Sequence, residues 1–224
     1  MRRVAARGVA ATVAAVAIAA GCAPDAAPSA VVGVIVDDAC DPGIETGSGA
    51  IVAPGLVLTA AHVLTGAVSI RVIRDGRSVI AEVVGFDPEM DLAYLAIDGL
   101  TALPLEVSSD GLQAGDTGVA YVVRDNETVE IEATAVRRVN IETEDIYLEG
   151  ETSRPGIELD AEVQGGDSGG AVVIGGKVVG VVWARSRAAG GRSYAIDPDR
   201  AGDRIEEQLR SGELGDDIDL TRCP

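Results

Sequence analysis

A histidine, an aspartate and a serine stand in three separate segments whose surroundings suit proton transfer and nucleophilic attack. His62, in Thr59-Ala60-Ala61-His62, ends an apolar stretch and is the only histidine of the chain, so it is the only side chain whose ordinary pKa lies near neutrality. Any general base working at neutral pH is therefore His62. Asp91, in Met90-Asp91-Leu92-Ala93-Tyr94-Leu95, sits at the mouth of an alternating strand. A carboxylate is costly to bury without a donor. An imidazole N–H is such a donor, and the bond would fix the tautomer that leaves the other ring nitrogen free to accept a proton. Taken singly, each residue has a plainer reading, as a structural histidine and as an exposed strand-start acid.

Ser168 lies in Gly165-Gly166-Asp167-Ser168-Gly169-Gly170. Glycines on both sides admit backbone angles closed to other residues and let main-chain N–H groups converge beside one hydroxyl. That suits an oxyanion hole made by the N–H groups of Gly166 and Ser168, facing the charge that develops on an attacked carbonyl. A glycine-rich hairpin is the bland alternative. The string has no lysine and leads into no helix, which argues against a phosphate-binding loop.

The elements that must position these segments are short. Apolar runs rich in Val and Ile occur at 31–36, 48–53, 56–60, 67–73, 78–86 and 92–97, separated by Gly, Pro, Asp and Asn. A turn-rich stretch, 101–116, precedes a second set at 117–123, 127–139, 144–149, 156–160, 171–174, 177–184 and 192–196. The pattern predicts an all-β chain of two similar halves of about six strands each. One helical pattern follows at 198–211, with Ile205 and Leu209 at i, i+4 and Pro198 near its start, and it is expected to pack against the second half. The boundaries read as a first β unit at 31–106, a second at 107–197, and a helix with an acidic tail at 198–224.

Composition removes several functions. The chain has 224 residues, 36 acidic against 18 basic, a net charge of −18 and a single lysine, Lys177, whereas nucleic-acid binding needs clustered Lys and Arg. Nucleic acid is not an expected partner. Three cysteines, one histidine and no Cys-x-x-Cys pair do not make a structural zinc site, and no metal or organic cofactor is expected.

Arg2, Arg3 and Arg7 precede an apolar run at 8–20 that ends in Ala19-Ala20-Gly21-Cys22, the pattern of an exported signal peptide over residues 1–21. The run is shorter than a spanning helix needs. Small residues directly before Cys22 also resemble a bacterial lipobox, so Cys22 is the candidate lipidation site, on a Pro/Ala tether at 22–30. A freely secreted form is the alternative, and a membrane enters only through that lipid. Cys40 and Cys223 then remain for one disulfide, a staple of the C-terminal tail or, as a second reading, a redox-controlled switch. Without residues 1–21 the chain carries 15 basic against 36 acidic groups, a net charge of −21.

Thr-Ala-Ala-His, Asp-Leu-Ala and Gly-Asp-Ser-Gly-Gly, in the order His62, Asp91, Ser168 and spaced by 29 and 77 residues, resemble the chymotrypsin/trypsin-like serine proteases. The resemblance runs from about residue 31 to 209. Gly47-Ser48-Gly49-Ala50-Ile51-Val52 and Phe86-Asp87-Pro88 are similar to the bacterial HtrA-like branch. It implies two six-stranded antiparallel β-barrels of chymotrypsin-like type with a C-terminal helix, and a cleft between them. Ser168 is then the nucleophile, His62 the general base and later acid, and Asp91 the orienting carboxylate. The implied activity is that of an exported serine endopeptidase acting on proteins or peptides through an acyl-enzyme. The alternative is a latent or non-catalytic module of the same fold at the cell envelope.

The resemblance also implies a substrate site. Glu162, six before Ser168, falls at the pocket floor and would favour Arg or Lys before the scissile bond. Arg192 falls near a pocket wall, placed to pair with Glu162 and block the pocket. Val182, Trp183 and Ala184 resemble the strand that pairs with the substrate main chain, with Trp183 equally an ordinary core aromatic. Asp167 occupies the place of an acid that, in trypsin-like zymogens, binds a newly freed N-terminus; here a local partner is the other option.

Overall fold

The computed structural model describes residues 26–38, 40, 43–185, 191–214 and 219–223. The expected signal peptide and Cys22 lie outside them. The first six strands are β1 (Val31–Asp38), β2 (Gly43–Ala53), β3 (Leu56–Thr59), β4 (Ala67–Arg74), β5 (Arg77–Asp87) and β6 (Leu92–Ile97). They close into an antiparallel barrel in the order β1-β2-β3-β6-β5-β4, with β1 pairing β4 at the seam. The second six are β7 (Thr117–Arg124), β8 (Glu127–Glu144), β9 (Glu151–Asp160), β10 (Ala171–Ile174), β11 (Lys177–Arg185) and β12 (Arg192–Ile196). They close in the order β10-β11-β12-β9-β8-β7. This is the chymotrypsin-like fold that the family resemblance implies, and its two barrels are the two halves of about six strands that the strand pattern predicts.

Each barrel is filled by the inward half of its alternating strands. Ile51, Val57, Phe86 and Leu95 are buried in the first, and Val122, Ile157, Leu159, Val172, Val182 and Ala195 in the second. Full burial of each Leu, Ile or Phe side chain stabilises by roughly 1.5–3 kcal/mol. Cells of this core also fix register, because a one-residue slip in a strand would turn its apolar set to solvent.

Three expectations change. The run at 144–149 is no strand. Asp145 accepts hydrogen bonds through Oδ1 from the N–H groups of Tyr147 (2.8 Å) and Glu149 (3.2 Å), and Leu148 takes φ +59° with its side chain exposed. A side chain that captures its own following main chain makes a turn, and β8 and β9 meet across it. The tether is partly folded: α1 (Ala26–Ala30) buries Ala27 and Ala30 against the first barrel's core. The C-terminal helix is two pieces: α2 (Pro198–Ala201) packs on β9 and β11 of the second barrel, as expected, whereas α3 (Asp203–Ser211) packs on β5 of the first. Gln208 explains the destination: it accepts from Phe86 N–H (2.7 Å) and donates to Phe86 O (3.1 Å), like an extra rung on β5, while Ile205 joins the core.

The tail at 219–223 continues along the first barrel. Gly66 and Ala67 N–H donate to the carbonyls of Arg222 and Leu220, both 3.1 Å. Tyr147 of the second barrel donates its hydroxyl to Asp219 O (3.1 Å), and the Arg222 guanidinium lies 4.4 Å from the Tyr147 ring centroid and pairs with Glu149. Cys223 is joined to Cys40 in a disulfide with Cα atoms 5.6 Å apart.

Candidate active site

β3 ends at Thr59 and the chain enters a 3-10 turn, Ala61–Leu64, that carries His62. Asp91 holds this turn from three points. Its carbonyl accepts Ala61 N–H (3.2 Å), its Oδ1 accepts His62 N–H (2.7 Å), and its Oδ2 accepts the His62 Nδ1–H (2.8 Å). Asp91 is 1% exposed and sits at φ +57°, a conformation a non-glycine residue adopts only when its surroundings impose it. The surroundings are the turn before it, where Asp87 Oδ1 accepts the N–H groups of Glu89 and Met90, both 3.0 Å. The Asp-Pro pair in Phe86-Asp87-Pro88 thus shapes the corner that delivers Asp91.

The electrostatics follow from burial and pairing. Burial pulls the His62 pKa down, but the Asp91 charge and hydrogen bond outweigh it, so His62 ends above its ordinary 6.5. Burial pushes Asp91 up, and His62 and Arg154 outweigh that, leaving it below 3.8. The His62 side chain remains one-third exposed (34%).

Ser168 lies on the loop between β9 and β10, partly exposed. Gly166 precedes it at φ +90° in a turn closed by Asp167 N–H donating to Gln164 O (3.2 Å). Asp167 is fully buried and accepts a two-pronged bond from Arg124 on β7, Nε to Oδ1 at 2.9 Å and Nη2 to Oδ2 at 2.7 Å, plus Gln164 N–H at 2.7 Å. Its partner is therefore Arg124, within the second barrel. After Ser168, Gly169 N–H donates to Val182 O and Val182 N–H to Gly170 O, both 2.8 Å. A Cβ on Gly169, at φ +85°, would meet Ser48 O at 2.1 Å. That close approach ties the loop to the other barrel. Ser48 donates its N–H to Ser168 O (2.7 Å), accepts Val123 N–H at Oγ (2.8 Å), and accepts the Thr59 hydroxyl at its carbonyl (2.7 Å). Ser48 is thus one buried junction of β2, β3, β7 and the Ser168 loop.

His62 and Asp91 are brought together; no hydrogen bond joins the Ser168 hydroxyl to the His62 ring. Among the described residues no protein acceptor takes the N–H of Gly166 or of Ser168. Beside this loop a cleft of about 380 Å³ runs between the barrels, lined by Thr46, Gly47, Arg124, Gln164, Gly165 and Gly166 among others.

Of the expected substrate-site residues, Val182 gives its N–H and C=O to Gly170 and Gly169. Trp183 stands at a bulge between Val182, paired with Ala195, and Ala184, paired with Tyr194. Glu162 is exposed and lines an outer groove with Glu130, Glu132 and Asp160. Arg192, across from Asp160 on β9, makes no ion pair with Glu162, and its Nη1 is buried with no hydrogen-bond partner. Among the described residues no group of three His, Cys, Asp or Glu is arranged to hold a metal.

Two residues of the site carry no motif. Arg124 is one. The other is Arg154 on β9, 1% exposed, whose guanidinium donates to Glu89 O (2.5 Å) and Pro88 O (3.3 Å) and lies 5.5 Å from the Trp183 ring centroid. Both are single arginines in strand-like sequence whose partners are tens of residues away.

Residues 47–181 match the model of the trypsin-like peptidase domain. Serine protease Rv3671c of Mycobacterium tuberculosis is 30% identical over 140 residues, 61% of this chain and 35% of that protein. Periplasmic serine endoprotease DegP of Salmonella typhimurium is 33% identical over 189 residues, 75% of this chain and 38% of that one. The chain thus spans little more than a third of the length of these curated relatives. Among solved structures, the active form of Rv3671c protease superposes with a TM-score of 0.77 at 25% identity, covering 88% of this chain and 87% of the other. The HtrA-type protease AlgW with a tripeptide superposes at 0.71 and 30% identity, covering 84% and 62%. With the family match reaching across both barrels and the segments bearing His62, Asp91 and Ser168, this chain belongs to the trypsin-like peptidases, as a homologue of the HtrA/DegP serine proteases.

Proposed function

We propose that this protein is an exported serine endopeptidase in which Ser168, His62 and Asp91 form a catalytic triad. The observation that carries the reading is the Asp91 carboxylate, buried and given to His62 through both oxygens. That bond places the Nδ1 proton toward Asp91 and leaves Nε2 as the proton acceptor. In the first half-reaction Ser168 Oγ attacks the peptide carbonyl carbon while its proton passes to His62 Nε2, and the N–H groups of Gly166 and Ser168 donate to the oxyanion. His62 then returns the proton to the leaving amine as the C–N bond breaks, which gives the acyl-enzyme. Water, deprotonated by the same nitrogen, cleaves the ester and restores Ser168. Oxyanion stabilisation of this type contributes about 10²–10³ in kcat.

Export is supported by the arginine-led apolar segment at 2–20, by a Cys40–Cys223 disulfide suited to an oxidising compartment, and by the periplasmic relatives. Lipidation of Cys22 is read by intact mass of the membrane fraction. The test of the activity is labelling by a fluorophosphonate probe: wild type labels and Ser168→Ala does not. Absence of labelling in both oxidised and reduced protein would favour a non-catalytic module of the same fold.

A second reading, a latent protease, draws on the missing Ser168–His62 hydrogen bond. A closed catalytic geometry often tightens only when substrate binds. Labelling that is slow alone and accelerates with a peptide substrate analogue, or after reduction, supports latency. Equal rates throughout count against it.

A further inference from the structure

We infer that Arg154 is a positioning residue through which the second barrel assembles and tunes the His62–Asp91 pair of the first; this rests on the triad reading above. Four observations carry it. Arg154 belongs to β9, yet both polar contacts of its guanidinium are to the first barrel, the carbonyls of Pro88 and Glu89. Those carbonyls lie in the corner that forces Asp91 to φ +57°. The guanidinium is withdrawn from water at 1% exposure, and one face is covered by Trp183, on the strand that ties down Gly169 and Gly170. A planar, permanently charged fork suits two carbonyls and an aromatic face at once, which an ammonium does not. Arg154 therefore touches the Asp91 corner and the Ser168 side of the site together.

Its charge acts on the same pair. The Arg154 guanidinium favours ionised Asp91 and disfavours protonated His62. The other groups acting on His62 are Asp91 and, from β2, Glu45, and both raise its pKa. Arg154 itself is faced by Asp91, by Asp145 from the β8–β9 turn and by Asp87 from the corner, each holding it charged against burial. Arg154 is thus the cation that opposes two anions at His62. Without it the ring would stay protonated to higher pH and accept the Ser168 proton over a narrower range.

The single histidine makes this directly measurable. The titration of the His62 ring by NMR, in the full chain with its disulfide intact, needs no catalysis and has no other imidazole to confuse it. Arg154→Met removes charge and fork; Arg154→Lys keeps the charge and loses the fork. In the Met variant the His62 titration is expected to move up by about half a pH unit or more. In the Lys variant it stays near wild type. Fluorophosphonate labelling of Ser168 is expected to fall tenfold or more in both, because the Asp91 corner loses its clamp. Should the Met variant fail to fold by near-UV circular dichroism, Arg154→Gln replaces it with the same expectation.

Labelling within twofold of wild type in folded variants, with an unmoved His62 titration, would overturn the inference and leave the protease reading intact. Reduced labelling with an unmoved titration would also overturn it, since a structural residue alone does that. No labelling of wild type would instead remove the reading on which it rests, whatever the titration.

Discussion

Arg124→Gln is the sharpest test of how the Ser168 loop is held. The substitution removes two charge-assisted bonds from Asp167, at 2.9 and 2.7 Å, and leaves a fully buried carboxylate with one remaining side-chain acceptor bond, from Gln164 N–H. Removing one partner of a buried pair typically costs 3–5 kcal/mol, because the other charge stays uncompensated. Arg124 is itself 28% exposed, so water reaches part of the vacated space and about 3 kcal/mol is expected. The molecule escapes this cost most easily by letting Asp167 swing outward, which undoes the turn carrying Gly166 and with it one oxyanion donor. That loss is worth about 10²–10³ in kcat. Urea unfolding gives the stability term and peptide hydrolysis the rate term. Asp167→Asn removes the charge that needs compensation, so adding it to Arg124→Gln should recover part of both losses; the cycle is strongly non-additive. A single variant that loses under 1 kcal/mol and less than threefold in kcat/KM, or a strictly additive cycle, would refute this reasoning.

Three further outcomes concern the His62–Asp91 pair, the disulfide and the expected substrate pocket. His62, held above 6.5 in the folded state, stabilises fully below pH 6.5 and loses that contribution as pH rises through its folded value; Asp91, held below 3.8, contributes above pH 3.8 and loses it as pH falls through its own. Hydrolysis needs neutral His62, so kcat/KM should climb above pH 6.5 while the pair's contribution to stability declines, and an activity limb centred below 6.5 would contradict this. Cys223→Ser opens a disulfide of sequence separation 183, for which the chain-entropy estimate is about 5 kcal/mol at most, and thermal unfolding of oxidised wild type against the variant reads it. Glu162→Gln should leave a peptide-library cleavage profile unchanged, since Glu162 is exposed on the outer groove, whereas Arg192→Ala should alter it; the reverse result restores Glu162 to the pocket.

Local chemistry decided how much of this was legible in the sequence. β6, β10 and β12 fall on the predicted residues because alternating apolar runs between turn formers leave one way to bury themselves. His62, Asp91 and Ser168 could be proposed from the sequence because three short strings, each with a plainer reading alone, stand together in one order and spacing. Where the structure departs from the apolar pattern, a polar side chain overrides it. Asp145 turns Ile146-Tyr147-Leu148 into a corner, and Gln208 docks α3 on Phe86 of the first barrel, a choice the Ile205 and Leu209 spacing does not encode. Arg124 and Arg154 were invisible for the same reason, since their meaning lies in acceptors 43 and 65 residues away.

The Cys40–Cys223 bond also bears on how the molecule survives its surroundings. It makes the chain from 40 to 223 a closed ring that holds every strand except β1, together with the connection between the barrels. A single cut anywhere in that ring, by a neighbouring copy or another protease, yields no free fragment: the two pieces stay in one covalent molecule. The hydrogen bonds of Ser48, Gln208 and the tail then have only a local ordering cost to overcome to re-form. Nicked protein should migrate intact without reductant and as two pieces with it, and a nick in an exposed turn should leave the barrels docked.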